Sequence, residues 1–144
     1  MHRILIGIAL LVLPSASTAQ VSNLDRAAER ARRAWFAHDA TALVAHSPRL
    51  LIQLPGADPS VALGPAQAAA LLADFLASAQ EVETIIKAAR EVEPGRGYVE
   101  LQRRYRVART QNVRLQALLL GYRLDPAGWT LVEFRVVGGP SQGS

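Results

Sequence analysis

Hydrophobic and polar positions fall into two regimes that meet near Ser78. Before it, apolar residues recur at helical spacing. Leu24, Ala28, Ala31, Trp35 and His38 share one face of a helix predicted over 22–37, with Arg26, Glu29, Arg30 and Arg33 opposite. Ser22 with Asp25 resembles a capping box at its start. Asp39 is the expected cap of a short second helix that reaches His46 and stops at Ser47-Pro48. A brief strand over 50–54 ends at Pro55-Gly56. Gly64-Pro65 then opens a third helix that buries Ala68, Leu71, Leu72, Phe75 and Leu76.

Beyond Ser78 the period shortens to two. The segment 81–93 alternates charged residues with Val82, Thr84, Ile86 and Val92, and Pro94-Gly95-Arg96-Gly97 is a hairpin turn. Residues 98–109 set Val99, Leu101, Tyr105 and Val107 against Glu100, Gln102, Arg104 and Arg106. Residues 114–124 are apolar on both faces between Ala117 and Leu120, which suits a central strand. Asp125-Pro126-Ala127-Gly128 turns the chain into a last strand over 129–137. The order α-α-β-α-β-β-β-β predicts an α+β fold, with three helices packed on the concave face of a strongly bent, mostly antiparallel sheet.

The first residues change the picture of where this domain works. Met1-His2-Arg3 is a short positive start, Ile4 to Leu13 is apolar, and Pro14 ends the run. Ser17-Thr18-Ala19 places small residues where a signal peptidase cuts, so residues 1–19 are expected to be a signal peptide removed before Gln20. The apolar stretch is too short for the roughly 20 residues of a spanning helix. The expected product is a soluble periplasmic or secreted domain over 20–137, with a glycine-rich disordered tail at 138–144 and no integral membrane span.

Composition narrows the chemistry. The chain has no cysteine, which excludes disulfides, thiol nucleophiles and cysteine metal sites. About 125 residues remain after cleavage, enough for one core. The formal charge of +4 falls by one when Arg3 leaves, and every basic residue but Lys87 is arginine. That balance is small for a nucleic-acid binder, and the basic run lacks aromatic interleaving of the sort single-strand binders use, so no nucleic-acid partner is expected.

With the elements in place, the chain resembles the nuclear transport factor 2-like superfamily, the cystatin-like cone, and within it small exported bacterial domains. The resemblance is carried by Leu50-Leu51-Ile52-Gln53-Leu54, by Gln67-Ala68 with Leu71, Leu72 and Phe75, by Tyr98 opening a strand, and by Trp129 to Val136. It implies a pocket inside a cone and a homodimer through the sheet. It does not by itself imply an activity, because isomerases, dehydratases and non-catalytic domains share the superfamily.

The candidate pocket residues are Trp35, His38, Arg103 and Tyr105. His38 continues the apolar face beside Trp35 and is the nearest candidate for proton transfer; the alternative is a helix-end histidine meeting the dipole. Arg103 shares a strand face with Tyr105, which would suit an anionic headgroup, or Arg103 pairs with a carboxylate at the rim. Neither His38 nor His46 has metal-ligand spacing, so no metal and no cofactor is expected. Six arginines from Leu101 to Leu124, without an acid among them, form a stripe that glutamates of the preceding strand can neutralise. On the last strand, Trp129, Leu131, Glu133 and Arg135 form a candidate interface strip. Together these readings point to an exported non-catalytic domain that binds a small-molecule ligand or a protein partner. The alternatives are a small cone-fold enzyme performing isomerase- or dehydratase-like proton transfer, and an envelope-assembly module using the arginine-rich sheet face.

Overall fold

The structure is a computed structural model that describes residues 16–138, with side chains from residue 23. Residues 1–15 and 139–144 lie outside the described residues, and with them most of the expected leader and tail. The order is α1 (Ala16–Phe36), α2 (Ala40–Val44), β1 (Leu51–Gln53), α3 (Pro65–Leu76), β2 (Ala79–Glu93), β3 (Arg96–Val107), β4 (Val113–Asp125) and β5 (Gly128–Val137). The five strands form one sheet in the order β1-β5-β4-β3-β2, antiparallel except where β1 runs parallel to β5. The fold is α+β, as the change of period predicts.

One expected boundary is corrected. The helix backbone runs unbroken from Ala16, so Ser22 lies inside α1 and does not cap it. A cap needs a non-helical backbone, and the stretch Ala16 to Val21 contains no proline or glycine to impose one.

Asp39 does cap α2, its carboxylate accepting from the Ala42 amide at 3.0 Å. Between α1 and α2 the chain reverses through a Schellman-type end: the His38 amide donates to the Trp35 carbonyl and the Asp39 amide to the Ala34 carbonyl, at 2.9 and 2.8 Å. Such an end needs a left-handed residue, ordinarily glycine, and His38 fills that position with φ 56°.

Alanine sets how closely α1 approaches the sheet. Ala27, Ala28, Ala31 and Ala34 are buried beside Leu24 and Trp35. Gly97 on β3 completes the fit: a Cβ there would lie 2.9 Å from Leu24 Cδ1 and 3.2 Å from Trp129 Cζ3. The concave face carries Val99 and Leu101 of β3, Leu118, Leu120 and Tyr122 of β4, and Phe134 and Val136 of β5. These pack on Leu72 and Leu76 of α3 to make one hydrophobic interior.

Simple alternation fails at the bulges. On β2 the register shifts three times, at Val82, Lys87 and Val92. Val82, Thr84, Ile86 and Val92 therefore do not line one side: Thr84 is buried while Val92 is 56% exposed. Each bulge adds an unpaired residue and bends the strand, so β2 follows the curvature of the sheet over 15 residues.

A bulge on β5 corrects the candidate interface strip. Tyr122 pairs with Leu131 and Gly121 with Glu133, leaving Val132 as the extra residue. Trp129 and Leu131 point into the core, whereas Glu133 and Arg135 are exposed on the convex face. An inserted residue reverses the parity of a two-residue repeat, so the four do not form one surface.

Candidate functional site

Two polar features interrupt the hydrophobic interior, near opposite ends of the concave sheet face. The first is built from α1, β2, β3 and β4. Val99 and Leu101 carry the inward parity of β3 forward to Arg103, whose side chain is 1% exposed. Across the ladder, Glu81 pairs in register with Tyr105, and its carboxylate is 2% exposed. The Arg103 guanidinium grips that carboxylate with Nε at 3.2 Å from Oε2 and with Nη2 on Oε1. Its Nη1 donates to Gln116 Oε1 on β4 at 3.1 Å.

Two residues of α1 and its end complete the cluster. Trp35 Nε1–H donates to Glu81 Oε2 at 3.3 Å, and His38 Nε2 lies 3.1 Å from Oε1. An ionised carboxylate only accepts hydrogen bonds, so Nε2 carries the histidine proton. The guanidinium carbon also lies 3.9 Å from the Tyr105 ring centroid, 5.0 Å from Trp35 and 5.8 Å from Phe75. Aromatic faces attract a cation at these separations, more strongly where water is excluded.

The four candidate pocket residues, Trp35, His38, Arg103 and Tyr105, are thus brought together by the fold. Glu81 joins them at the centre. Arg103 meets its carboxylate inside the cone and not at the rim. Sequence reading placed Glu81 among glutamates neutralising the outer arginines, because its position relative to the Val82 bulge is not visible in a period-two pattern. The Glu81 carboxylate offers about four acceptor positions and receives four donor groups. It is a saturated anchor with no acceptor left for a ligand. His38 also reaches a groove: its side chain is 28% exposed beside Asp39, Pro65 and Ala69, between α2 and α3.

The second feature is a cleft of about 140 Å³ between α1, α2 and the β4–β5 hairpin. Ala27, Ala31, Leu43 and Leu131 form its apolar walls, with the Trp129 ring alongside. Tyr122 and Ser47 bring hydroxyls to it, and both residues are buried. Neither makes a side-chain hydrogen bond within the described residues. Burial pushes the Tyr122 phenol well above its ordinary range, and the nearby Arg30 guanidinium opposes that rise. Arg30 and His46 stand exposed at the rim, where the cleft opens into a wider groove past Arg26 and Asp125.

Sequence analysis did not single out Tyr122. Its signal was available in the alternation Leu118, Leu120, Tyr122 on a central strand, where a phenol at a core position requires either a partner or an opening. Of the candidate interface residues, Trp129 and Leu131 line this cleft, and Glu133 and Arg135 do not. Among the described residues, no group of three or more His, Asp or Glu side chains is placed to hold a metal ion, and no helix is long and apolar enough to cross a membrane.

No protein-family model matches the chain, and no curated protein does. Solved structures do. A ketosteroid isomerase-like protein from Erwinia carotovora atroseptica superposes with a TM-score of 0.66 at 17% identity, covering 82% of this chain and 95% of that one. A domain with a cystatin-like fold from Nostoc punctiforme gives 0.69 at 13% identity, covering 88% and 82%. A nuclear transport factor 2-like protein from Novosphingobium aromaticivorans gives 0.63 at 19% identity, covering 88% and 85%. Identities this low speak to the fold alone. Helices seated in a bent five-stranded sheet, matched over most of its length to these structures, give the chain the nuclear transport factor 2-like, cystatin-like cone fold.

Proposed function

We propose that the chain is an exported, non-catalytic domain that binds a small ligand in the Tyr122 cleft and acts as a homodimer. The observation that carries the ligand reading is the contrast between the two polar features. Glu81 and Arg103 are held by each other and by Trp35, His38 and Gln116 in the interior, so the ionic groups best suited to chemistry are committed to the fold. The cleft holds two hydroxyls that have no hydrogen-bond partner among the described residues, against an apolar wall, the usual make-up of a recognition site.

A specific observation favours a second reading. His38 sits in a left-handed backbone conformation with Nε2 held by buried Glu81, and the residue lines the α2–α3 groove. A histidine oriented by a carboxylate is the arrangement of a general base. One experiment separates the two: a panel of small carbonyl and aromatic fragments is followed by NMR for both binding and consumption. The expected result is shifts at Tyr122 and Trp129 with no fragment consumed. Turnover that disappears in His38→Gln would replace the binding reading by the enzyme reading.

Export rests on the leader and small-residue cleavage pattern. Intact mass of protein secreted by a bacterial host is expected to correspond to a chain beginning at Gln20; full-length protein retained in the cell would overturn this.

The dimer reading rests on the convex sheet face. Ile85, Gln102, Ala117 and Val137 align across four strands there, with Leu115 close by. Ile85, Leu115 and Val137 are 37%, 44% and 41% exposed, an apolar band on an otherwise polar face. Sedimentation is expected to show a dimer that Leu115→Glu converts to a folded monomer. A monomeric wild-type chain would end this proposal.

A further inference from the structure

The residues of the Tyr122 cleft specify a class of ligand. We propose that it takes a small monocarboxylate whose apolar part is a single ring, with the carboxylate received by Arg30 and the hydroxyls of Tyr122 and Ser47. The inference rests on the cleft being the ligand site.

Size sets the first limit. The volume of about 140 Å³ is close to the roughly 150 Å³ of an apolar cavity that holds one benzene ring. The cleft itself holds one ring, and a longer ligand would have to run out past Arg30 into the wider groove. Wall chemistry sets the second: Ala27, Ala31, Leu43 and Leu131 offer only apolar surface, and the Trp129 ring adds an aromatic one.

Charge sets the third. Arg30 forms no ion pair within the described residues, unlike Arg32 and Arg33, which share Glu29. The carboxylate in the adjoining groove, Asp125, is engaged by Thr130 Oγ1 at 2.5 Å and by the Ala127 amide at 2.9 Å. Those hydrogen bonds hold its pKa below the ordinary carboxylate value. An anionic headgroup therefore meets a cation and two hydroxyls that have no partner among the described residues. A planar guanidinium suits a carboxylate because it can donate two parallel hydrogen bonds. The phenol, protonated at neutral pH, supplies a third donor.

The test uses the full mature chain with benzoate, benzamide and benzyl alcohol as probes, followed by calorimetry and by NMR at Tyr122 and Trp129. Benzoate is expected to saturate these resonances and to bind about tenfold more tightly than benzamide, the difference of one charge-assisted contact. Arg30→Gln, an exposed change, is expected to weaken benzoate far more than benzamide and so to erase that difference. Tyr122→Phe is expected to weaken benzoate by about fivefold to tenfold, with an unfolding midpoint that shows the fold retained. Equal affinity for benzoate and benzamide in the wild-type chain overturns the anion assignment. If benzyl alcohol shifts the cleft resonances and benzoate does not, the carboxylate class falls and the cleft remains a ligand site. If no probe shifts them, both readings fall together.

Discussion

Arg103→Ala is expected to lower folding stability by about 3–5 kcal/mol, the usual cost of leaving one half of a buried ion pair without the other. The reason lies in what remains. Glu81 is 2% exposed and would lose the two donors of the guanidinium fork, while Gln116 would lose the third. The stacking of the cation on Tyr105 would go as well. Chemical denaturation with an unchanged slope is the measurement. Arg103→Lys is expected to recover only part of the loss, because an ammonium cannot reach both Glu81 and Gln116 with planar geometry. The double change Arg103→Met with Glu81→Leu is expected to be much less harmful than Arg103→Ala, since no uncompensated charge is left inside. A single-mutant loss below about 1 kcal/mol, the range of an exposed pair, would show that water reaches the pair and that the interior is not closed.

Trp35→Ala is expected to cost a similar amount, about 3–5 kcal/mol, by a different route. The indole is fully buried, stacks on Phe134 at 5.3 Å between centroids, and meets Phe75 at 6.4 Å. Truncation opens a cavity that the packed α1 helix cannot close. Trp35→Phe separates packing from polarity: it keeps most of the volume and removes only the donor to Glu81. Its cost is expected to be about 1.5–3 kcal/mol, the value of a hydrogen bond to a charged group. If the two substitutions cost the same, hydrogen bonding and not packing dominates at this position. Such a result would shift the weight of the interior from the hydrophobic layer to the Glu81 cluster.

His38 illustrates how local geometry and the buried cluster depend on one another. The αL position after α1 favours glycine, and a bulky residue there is held against its own preference. Its imidazole reaches the Glu81 carboxylate from that position. The turn between two helices is thereby tied to β2, the edge strand of the sheet. This contact links the helical half of the chain to the strand half, and it places a titratable ring where the α2–α3 groove opens.

Much of the architecture can be read from residue order because it depends on local rules. The change from a helical to a two-residue period marks where the sheet begins. Asp39 before a helix and Pro65 at the start of another act on the adjacent backbone, and the structure places both where expected. Arg103 and Tyr105 share a side of their strand because no bulge separates them from Val99 and Leu101. Trp35 faces the interior at the helical spacing of α1, whereas His38 lies past the helix end, and its left-handed turn, not the helical period, brings the ring to Glu81.

The remaining features depend on pairings between segments distant in sequence. Whether Val132 is paired or bulged is settled by β4 and not by its own neighbours, and that single residue sends Glu133 and Arg135 outward while Trp129 and Leu131 stay inside. Glu81 belongs to the interior because the Val82 bulge and the ladder with β3 turn its carboxylate toward Arg103, more than 20 residues away. The Tyr122 cleft arises where a hairpin meets the joint of two helices, a coincidence of three surfaces that no periodicity encodes. Local propensity acts over a few residues, so it can name the elements and their inward faces. Register, bulges and cavities are decided only when those elements compete for the same space.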